Sequence, residues 1–580
     1  MRLLFSFSVC LLLGGVTTAQ QVFLKLVTPA KNSNNVTSSR QFITGTTCKG
    51  CRLYLDTTEV KVWPTGAFAA EVILRTGDTS FRLTATDARG MKTTQTLFYS
   101  YKLPEREQET TDASVAYLRI EPQGNLLLHP GDRLQLSLKT KPGAQVQLEN
   151  GWALTELPVG PGVPVRGIYR GEYVVKENDN LIGFTPQPLK AMVQLPGELQ
   201  LEATTRSTYA RLPEQPLVVE TKGKLPYLLV GLGEDRLGGT KIGYLDSLIR
   251  LRVTGKAGNK YRVQLSPYRH AYIEEQHVKV LPAGTLPPAS LTGNITSRGD
   301  SAFDYVTLTL SERLPYQTYQ ELYPSRIVVE VFGATANTNW ITQLQSARAV
   351  RQVYYRQAED GIFRMTLELE DRQHWGHTVY YNGTNLVIRV RRRPASLDLR
   401  QLVIGVDAGH GGTNRGAAGI TGVWEKDLTL LLARDVQQVL QSEGATVLMS
   451  RTTDATFDNH ERYLFFRDRN PHVLLSIHLN SSGDPTRSKG IGMFYKHTGF
   501  HSLAQALLQR ITGSTGLQEY GLVGNFNFLL NGYTEFPNAL LETLFLSNPE
   551  EEALILDPVY RRQLALAIVS GLKDWLLLQQ

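Results

Sequence analysis

The sequence predicts a multidomain protein in which several small all-β modules precede a carboxy-terminal α/β domain with a mostly parallel sheet. Three observations predict it. A length of 580 residues corresponds to roughly four domains at about 150 residues each. Before residue 400, short runs alternate apolar and polar residues and are separated by turn residues, the pattern of half-buried strands. From residue 401 short apolar strands alternate with segments whose apolar residues recur at helical spacing, the grammar of an α/β layer fold.

Residues 1–19 read as a secretory signal: Arg2, an apolar run from Leu3 to Val16, then the small residues Thr17, Thr18 and Ala19 before the cut. An uncleaved anchor is the alternative, but the run is shorter than the roughly 20 residues a spanning helix needs. No later segment is long and apolar enough to span. The mature chain is therefore expected to be exported without a transmembrane anchor, with the periplasm favoured and the cell exterior open. Cys48 and Cys51 are the cysteines left after the signal, and a strand follows them, so a small disulfide across a turn is expected over a redox or metal pair. Charge is uneven. Residues 401–580 hold 14 Lys and Arg against 18 Asp and Glu, a balance of −4, so the total of +7 leaves +11 in the part before. Such a front half suits an anionic polymer or simply a soluble surface. No nucleic-acid-binding spacing occurs, and nucleic acid is not expected as a partner.

Residues 22–103 form the first β module, with Phe68–Leu74 and Ser80–Thr86 as alternating strands, and the acidic stretch from Pro104 to Glu109 reads as a linker. Residues 112–215 form a second, on runs such as Arg133–Leu138 and Glu198–Ala203. Residues 217–285 carry closer turns and strands, among them Ile249–Val253, Lys260–Leu265 and the turn Arg236-Leu237-Gly238-Gly239. Residues 300–394 are a fourth β module, in which Trp375, Tyr380 and Tyr381 suit either sugar stacking or, more commonly, the core. Arg391-Arg392-Arg393-Pro394 reads as a solvated linker. Residues 400–580 then alternate strand and helix: strands at 401–406, 445–449, 472–478, 490–495 and 539–546, helices at 426–440, 501–511 and about 558–578.

Functional residues in such sheets gather at the carboxyl ends of strands. His410 follows the first strand in Asp407-Ala408-Gly409-His410-Gly411-Gly412, His478 ends the Val473–Ile477 strand, and Glu542 ends another. Glu425 stands just ahead of a helix, where a carboxylate also has a purely electrostatic reason to be. Together these four supply two imidazoles and two carboxylates, enough for a hydrolytic zinc site. The turn lacks the Lys-Ser or Lys-Thr ending of a phosphate loop.

Several resemblances refine this reading. The 407–427 stretch, Ser476-Ile477-His478-Leu479-Asn480 and the segment from Glu542 to Glu551 resemble the zinc-dependent N-acetylmuramoyl-L-alanine amidases of the AmiC-like type 3 group. The resemblance implies one Zn²⁺ held by His410, Glu425 and His478, with Glu542 as general base. It implies peptidoglycan as substrate, cut between the lactyl group of muramic acid and L-alanine. Asn480 and Asn531 are candidates for orienting a ligand or substrate, and Arg451 and Arg462 for structural ion pairs. The chain departs from the family pattern at Ala408, Asn531 and Leu544, where many members have proline, arginine and glycine. The helix near His501 follows its strand too closely for the inhibitory insertion of some relatives, which leaves control to the front modules or to a division or envelope regulator protein. Residues 22–103 resemble immunoglobulin-like modules, 217–285 a bacterial SH3-type barrel and 300–394 an AMIN module. A zinc peptidase on stem peptides and a non-catalytic wall-binding scaffold are the alternative functions.

Overall fold

The computed structural model describes residues 21–104, 107–195, 197 and 200–580. The expected signal at 1–19 lies outside them, as do residues 105 and 106 of the acidic linker and Glu198 and Leu199 of one expected strand. The chain is multidomain, β-rich as far as Arg391 and α/β from Val403 onward. Among the described residues no helix is long and apolar enough to cross a membrane.

Residues 24–101 fold as a three-stranded and a five-stranded sheet whose inward residues, Ile43, Leu53, Phe68, Leu83 and Leu97 among them, close one core. Cys48 and Cys51 are joined across a turn with their Cα atoms 5.3 Å apart. Further on, the chain is more continuous than its turn signals suggest. The short strand Leu126–Leu128 pairs in parallel with Gln200–Arg211 and in antiparallel with Arg250–Ala257, so hydrogen bonds run across the expected boundary near residue 216. One apolar core then extends from Val219 and Leu251 through Val329 and Leu367 to Ile388.

The α/β domain is built on a six-stranded sheet in the order Thr446–Met449, Val403–Ala408, Val473–Asn480, Asn538–Phe545, Ile491–Phe494, Glu519–Val523. The Asn538–Phe545 and Ile491–Phe494 pair is antiparallel, and the other four pairs are parallel. Alternation of side chains decides what each face meets. Val473, Leu475 and Ile477 point into the large core shared with helices α1 (Glu425–Ser442), α3 (His501–Thr515) and α5 (Pro558–Leu577). Leu474 points the other way, against Tyr463 and Phe466 of helix α2 (Asn459–Arg469), Tyr533, Phe536 and Leu225. Helix α2 escapes the sequence reading because Tyr463, Leu464, Phe465 and Phe466 are contiguous and show no one-sided spacing. Helix α4 (Pro549–Leu556) and the strand Glu519–Val523 escape it too, being short.

The β modules are joined tightly to this domain. Trp375 is 3 % exposed and belongs to the α/β core, its ring 5.5 Å from that of Trp575. Tyr381 is buried as well and its hydroxyl donates to the Leu314 carbonyl, so neither ring is free to stack on a sugar. The expected solvated linker is not one: Arg391 is buried and donates to the carbonyls of Asn470 and Pro471, and Arg392 pairs with the buried Asp304. Guanidiniums with five donors are well suited to satisfying carbonyls that a joint takes out of water.

Candidate metal centre

Four side chains meet at the carboxyl ends of three strands and the start of α1. The first strand runs out at Ala408 and turns sharply, so that His410 takes the left-handed conformation at φ 59°. A residue with a Cβ rarely adopts that conformation, and here the backbone is over-determined by its neighbours. Arg462, 1 % exposed, pairs with the buried Asp407 at 2.5 Å and donates to the carbonyls of Ala408 and His410 at 2.7 and 2.9 Å. Arg451 donates to the carbonyls of Ala408 and Gly409 at 3.0 and 2.9 Å, and the Thr429 hydroxyl donates to Gly409 at 2.7 Å. The turn is thus held from both sides by α1 and α2. Asn414 Oδ1 lies 2.9 Å from His410 Nδ1, which leaves Nε2 as the inward nitrogen.

Glu425 is the first residue of α1, and its carboxylate turns back across the sheet ends. One oxygen accepts the Ala417 N–H at 2.8 Å. The other accepts the Leu479 N–H at 3.0 Å and lies 3.0 Å from His410 Nε2 and 3.2 Å from His478 Nδ1. His478 and Glu542 are partners in the register of their parallel strands, so both side chains rise from the same face. Two glycines make room for this convergence. A Cβ at Gly409 would stand 2.6 to 2.7 Å from three atoms of the His478 ring, and one at Gly416 would stand 2.4 Å from the Glu425 carboxylate.

Electrostatics follow from the geometry. Burial opposes the charge on Glu425, but hydrogen bonds and charge from His410 and His478 hold its carboxyl far below the usual range. Burial likewise opposes a His478 cation, and the hydrogen bond and charge of Glu425 outweigh it, so His478 is raised. Burial pushes Glu542 up to about 7; Glu425 adds to this, while His478, His410 and Arg236 oppose it. A carboxyl near 7 is matched to taking and returning a proton at neutral pH.

The donor set fits a metal. One ligand atom from each of His410, Glu425 and His478 lies within 4.8 Å of the others, and three nitrogen and oxygen donors with a fourth position open are the requirement of catalytic zinc. His478 Nε2 and Glu542 Oε2 are buried without a protein partner, so the site holds polar atoms that the chain leaves unsatisfied. The other candidates make no hydrogen bond to this group. Asn480 ends its strand and accepts the Ser481 N–H through its side chain. Asn531 is 1 % exposed and donates to the Phe494 carbonyl at 3.0 Å, a bond that ties a loop to a strand. Sequence reasoning missed Asn414, the two-sided arginine clamp and the reach of Arg236. The clamp had a trace in Arg451 and Arg462, read as ion-pair residues; Arg451 bonds carbonyls instead.

A family profile described as N-acetylmuramoyl-L-alanine amidase matches residues 404–574. A crystal structure of an N-acetylmuramoyl-L-alanine amidase from Clostridium difficile 630 is 31% identical, covering 31% of this chain and 98% of that one, with a TM-score of 0.30. The chain belongs to the type 3 N-acetylmuramoyl-L-alanine amidase family. The catalytic domain of CwlV, an N-acetylmuramoyl-L-alanine amidase from Bacillus (Paenibacillus) polymyxa var. colistinus, is 30% identical over 31% of this chain and 99% of that one, with a TM-score of 0.29. The probable cell wall amidase LytH of Staphylococcus aureus is 35% identical over 197 residues, which are 33% of this chain. The chain spans 64% of the length of these curated relatives. Within the amidase family match fall all four residues of the site, from His410 to Glu542.

Proposed function

We propose that this protein is a zinc-dependent N-acetylmuramoyl-L-alanine amidase that opens the amide between the lactyl group of muramic acid and L-alanine of the peptidoglycan stem. The observation that carries the reading is the convergence of His410 Nε2 and His478 Nδ1 on one oxygen of Glu425, with Glu542 beside them in register. His410, Glu425 and His478 would hold the ion. Bound zinc supplies a Lewis acid and a water of lowered pKa at neutral pH. Glu542 accepts the proton of the attacking water and delivers it to the departing nitrogen of L-alanine. The water oxygen joins the lactyl carbonyl carbon, the C–N bond breaks, and the products are a carboxylic acid and a free amine. Glu542 is placed for both transfers by its register beside His478, and burial raises its carboxyl towards the range of a proton acceptor at neutral pH.

The same reading takes the protein as exported and acting in wall remodelling or cell separation, in the periplasm by preference, after cleavage of a signal at 1–19. The Cys48–Cys51 disulfide and the cell wall relatives support export. We take 22–103 as an immunoglobulin-like module, 112–215 as a second β module, 217–285 as an SH3-like barrel and 300–394 as an AMIN-like module, ahead of a catalytic domain at 400–580. Their task would be placement on the wall, with a division or envelope regulator as a further partner. Mass spectrometry of digested sacculi tests the reaction: an amidase releases whole stem peptides with a free L-alanine amine. Fragments cut between stem amino acids would make it a peptidase, and binding without release a scaffold. Glu542→Gln should lower kcat by about 10²–10⁴ while zinc content stays near one per chain.

A further inference from the structure

The hairpin Tyr227–Asp235 and Gly238–Tyr244 belongs to the β part of the chain yet bonds to Asn527 of the α/β domain. Its strands close on the pair Asp235 and Gly238, which leaves Arg236 and Leu237 as the two-residue tip. Asp235 accepts the Leu237 N–H at 2.7 Å and braces that tip. Its root is held in the β part, where Tyr227 donates to Glu274 and Glu234 pairs with Lys260, and Tyr244 meets Tyr463 of α2. Nearer the tip it is anchored by Asn527, which donates to the Gly239 carbonyl at 2.7 Å and accepts the Lys241 N–H at 3.3 Å. Lys496 donates to the same Asn527 oxygen at 3.2 Å. The neighbouring residue, Phe528, meets the His478 ring edge-on at 6.0 Å between centroids. The anchor therefore stands against a residue of the metal centre, and the tip lies three residues beyond it, about 10 Å of extended chain.

Arg236 is exposed, and its guanidinium makes no hydrogen bond or ion pair among the described residues. Its charge nonetheless reaches Glu542. A tip that blocked the site would pair this guanidinium with Glu542 or Glu425, and it pairs with neither. We infer that the 227–244 hairpin is one wall of the substrate cleft and that Arg236 at its tip binds a carboxylate of the stem peptide, an assignment that rests on the amidase reading. A free guanidinium beside a cleft matches a carboxylate in charge and in its paired donors. The stem peptide brings such groups: its second residue carries a free carboxylate close to the amide that Glu542 serves.

Binding to the zinc-loaded full chain in the Glu542→Gln background tests this, with a disaccharide bearing L-alanyl-D-glutamate and the same ligand with both glutamate carboxyls amidated. Arg236→Ala should weaken the free-acid ligand about tenfold, the worth of one charge-assisted contact, and leave the amidated ligand unchanged. Arg236→Lys should restore part of the loss. Equal weakening of both ligands, no change, tighter binding as expected of a removed block, or no binding of either ligand overturns the inference. Hydrolysis by the wild-type chain is read separately. If no peptide is released while binding still depends on Arg236 and on the carboxylates, the amidase reading fails and the cleft assignment stands.

Discussion

At the scale of single residues, the site depends on side chains that are absent as much as on those present. Gly416 leaves the space into which the Glu425 carboxylate and the His410 ring both fit, at 2.4 and 2.7 Å from where a Cβ would be. Its φ of 67° adds a second reason, since an L side chain there is strained. Gly416→Ala should therefore move a ligand without touching the core. Zinc affinity should fall about 10–100-fold, the range found for losing ligand orientation, while the far-ultraviolet circular dichroism stays native. Unchanged zinc affinity in a competition titration would show that the carboxylate has room to shift. His410, Glu425, His478 and Glu542 stood out in the sequence as polar residues at the ends or starts of elements, and only the family resemblance gave them roles; the structure brings them together. Asn414 and Gly416 did not stand out, because what they do is defined by neighbours in space.

At the scale of elements, α2 acts as the buttress of the His410 turn. It starts with a reciprocal cap between Asp458 and Glu461 and presents Arg462 one residue later to Asp407 and the turn carbonyls. Removing the guanidinium leaves the fully buried Asp407 with the Ser476 hydroxyl at 2.6 Å but without its cation. Arg462→Met keeps the volume and should cost about 3–5 kcal/mol, the usual effect of breaking one side of a buried pair. The measurement is denaturant unfolding followed by tryptophan fluorescence, with metal content assayed in parallel. A loss below about 1 kcal/mol would mean that Asp407 is neutral or watered. The helix was overlooked in the sequence because Leu464 and Phe465 fill the gap between Tyr463 and Phe466, the two residues that enter one buried cluster with Leu474 and Tyr533, and so hide the spacing; the Tyr463 and Tyr533 rings stack at 4.2 Å.

At the scale of the whole molecule, the α/β domain shares its core with the module before it. Trp375 lies in that core, and the His377 N–H donates to the Thr534 carbonyl at 2.7 Å. A chain beginning at residue 396 lacks both and uncovers Trp575, so it should unfold at a lower temperature than the full protein; the loss of one buried tryptophan is worth about 3–5 kcal/mol. Equal melting temperatures would show that the joint adds nothing. Acid should loosen the same joint. His377 is buried and His497 half-buried on its two sides, and desolvation lowers each to about 3 from an ordinary value of 6.5. Between those values the unfolded chain binds protons that the folded chain does not, so stability is complete above about 6.5 and falls as pH drops toward 3. At pH 5 each histidine should cost about 2 kcal/mol. Calorimetry from pH 7 to 5 checks this, and replacing both by Gln should reduce the dependence, leaving the part due to His374 and His472, which burial also lowers.

Local sequence was enough for the strand-to-helix switch near residue 400 and the glycine-rich turn at His410, because periodicity and turn chemistry are properties of neighbouring positions; the four candidate residues took their roles from the resemblance of several separated motifs to a family. Tertiary structure alone decided that His478 and Glu542 share a register, that Trp375 enters another module's core, and that a hairpin more than 150 residues before the site bonds to Asn527, next to the Phe528 that meets His478. Those outcomes depend on which surfaces pack together after the chain has closed long loops. No local pattern records that choice, since an exposed tip and an exposed tip beside a cleft have the same sequence requirements.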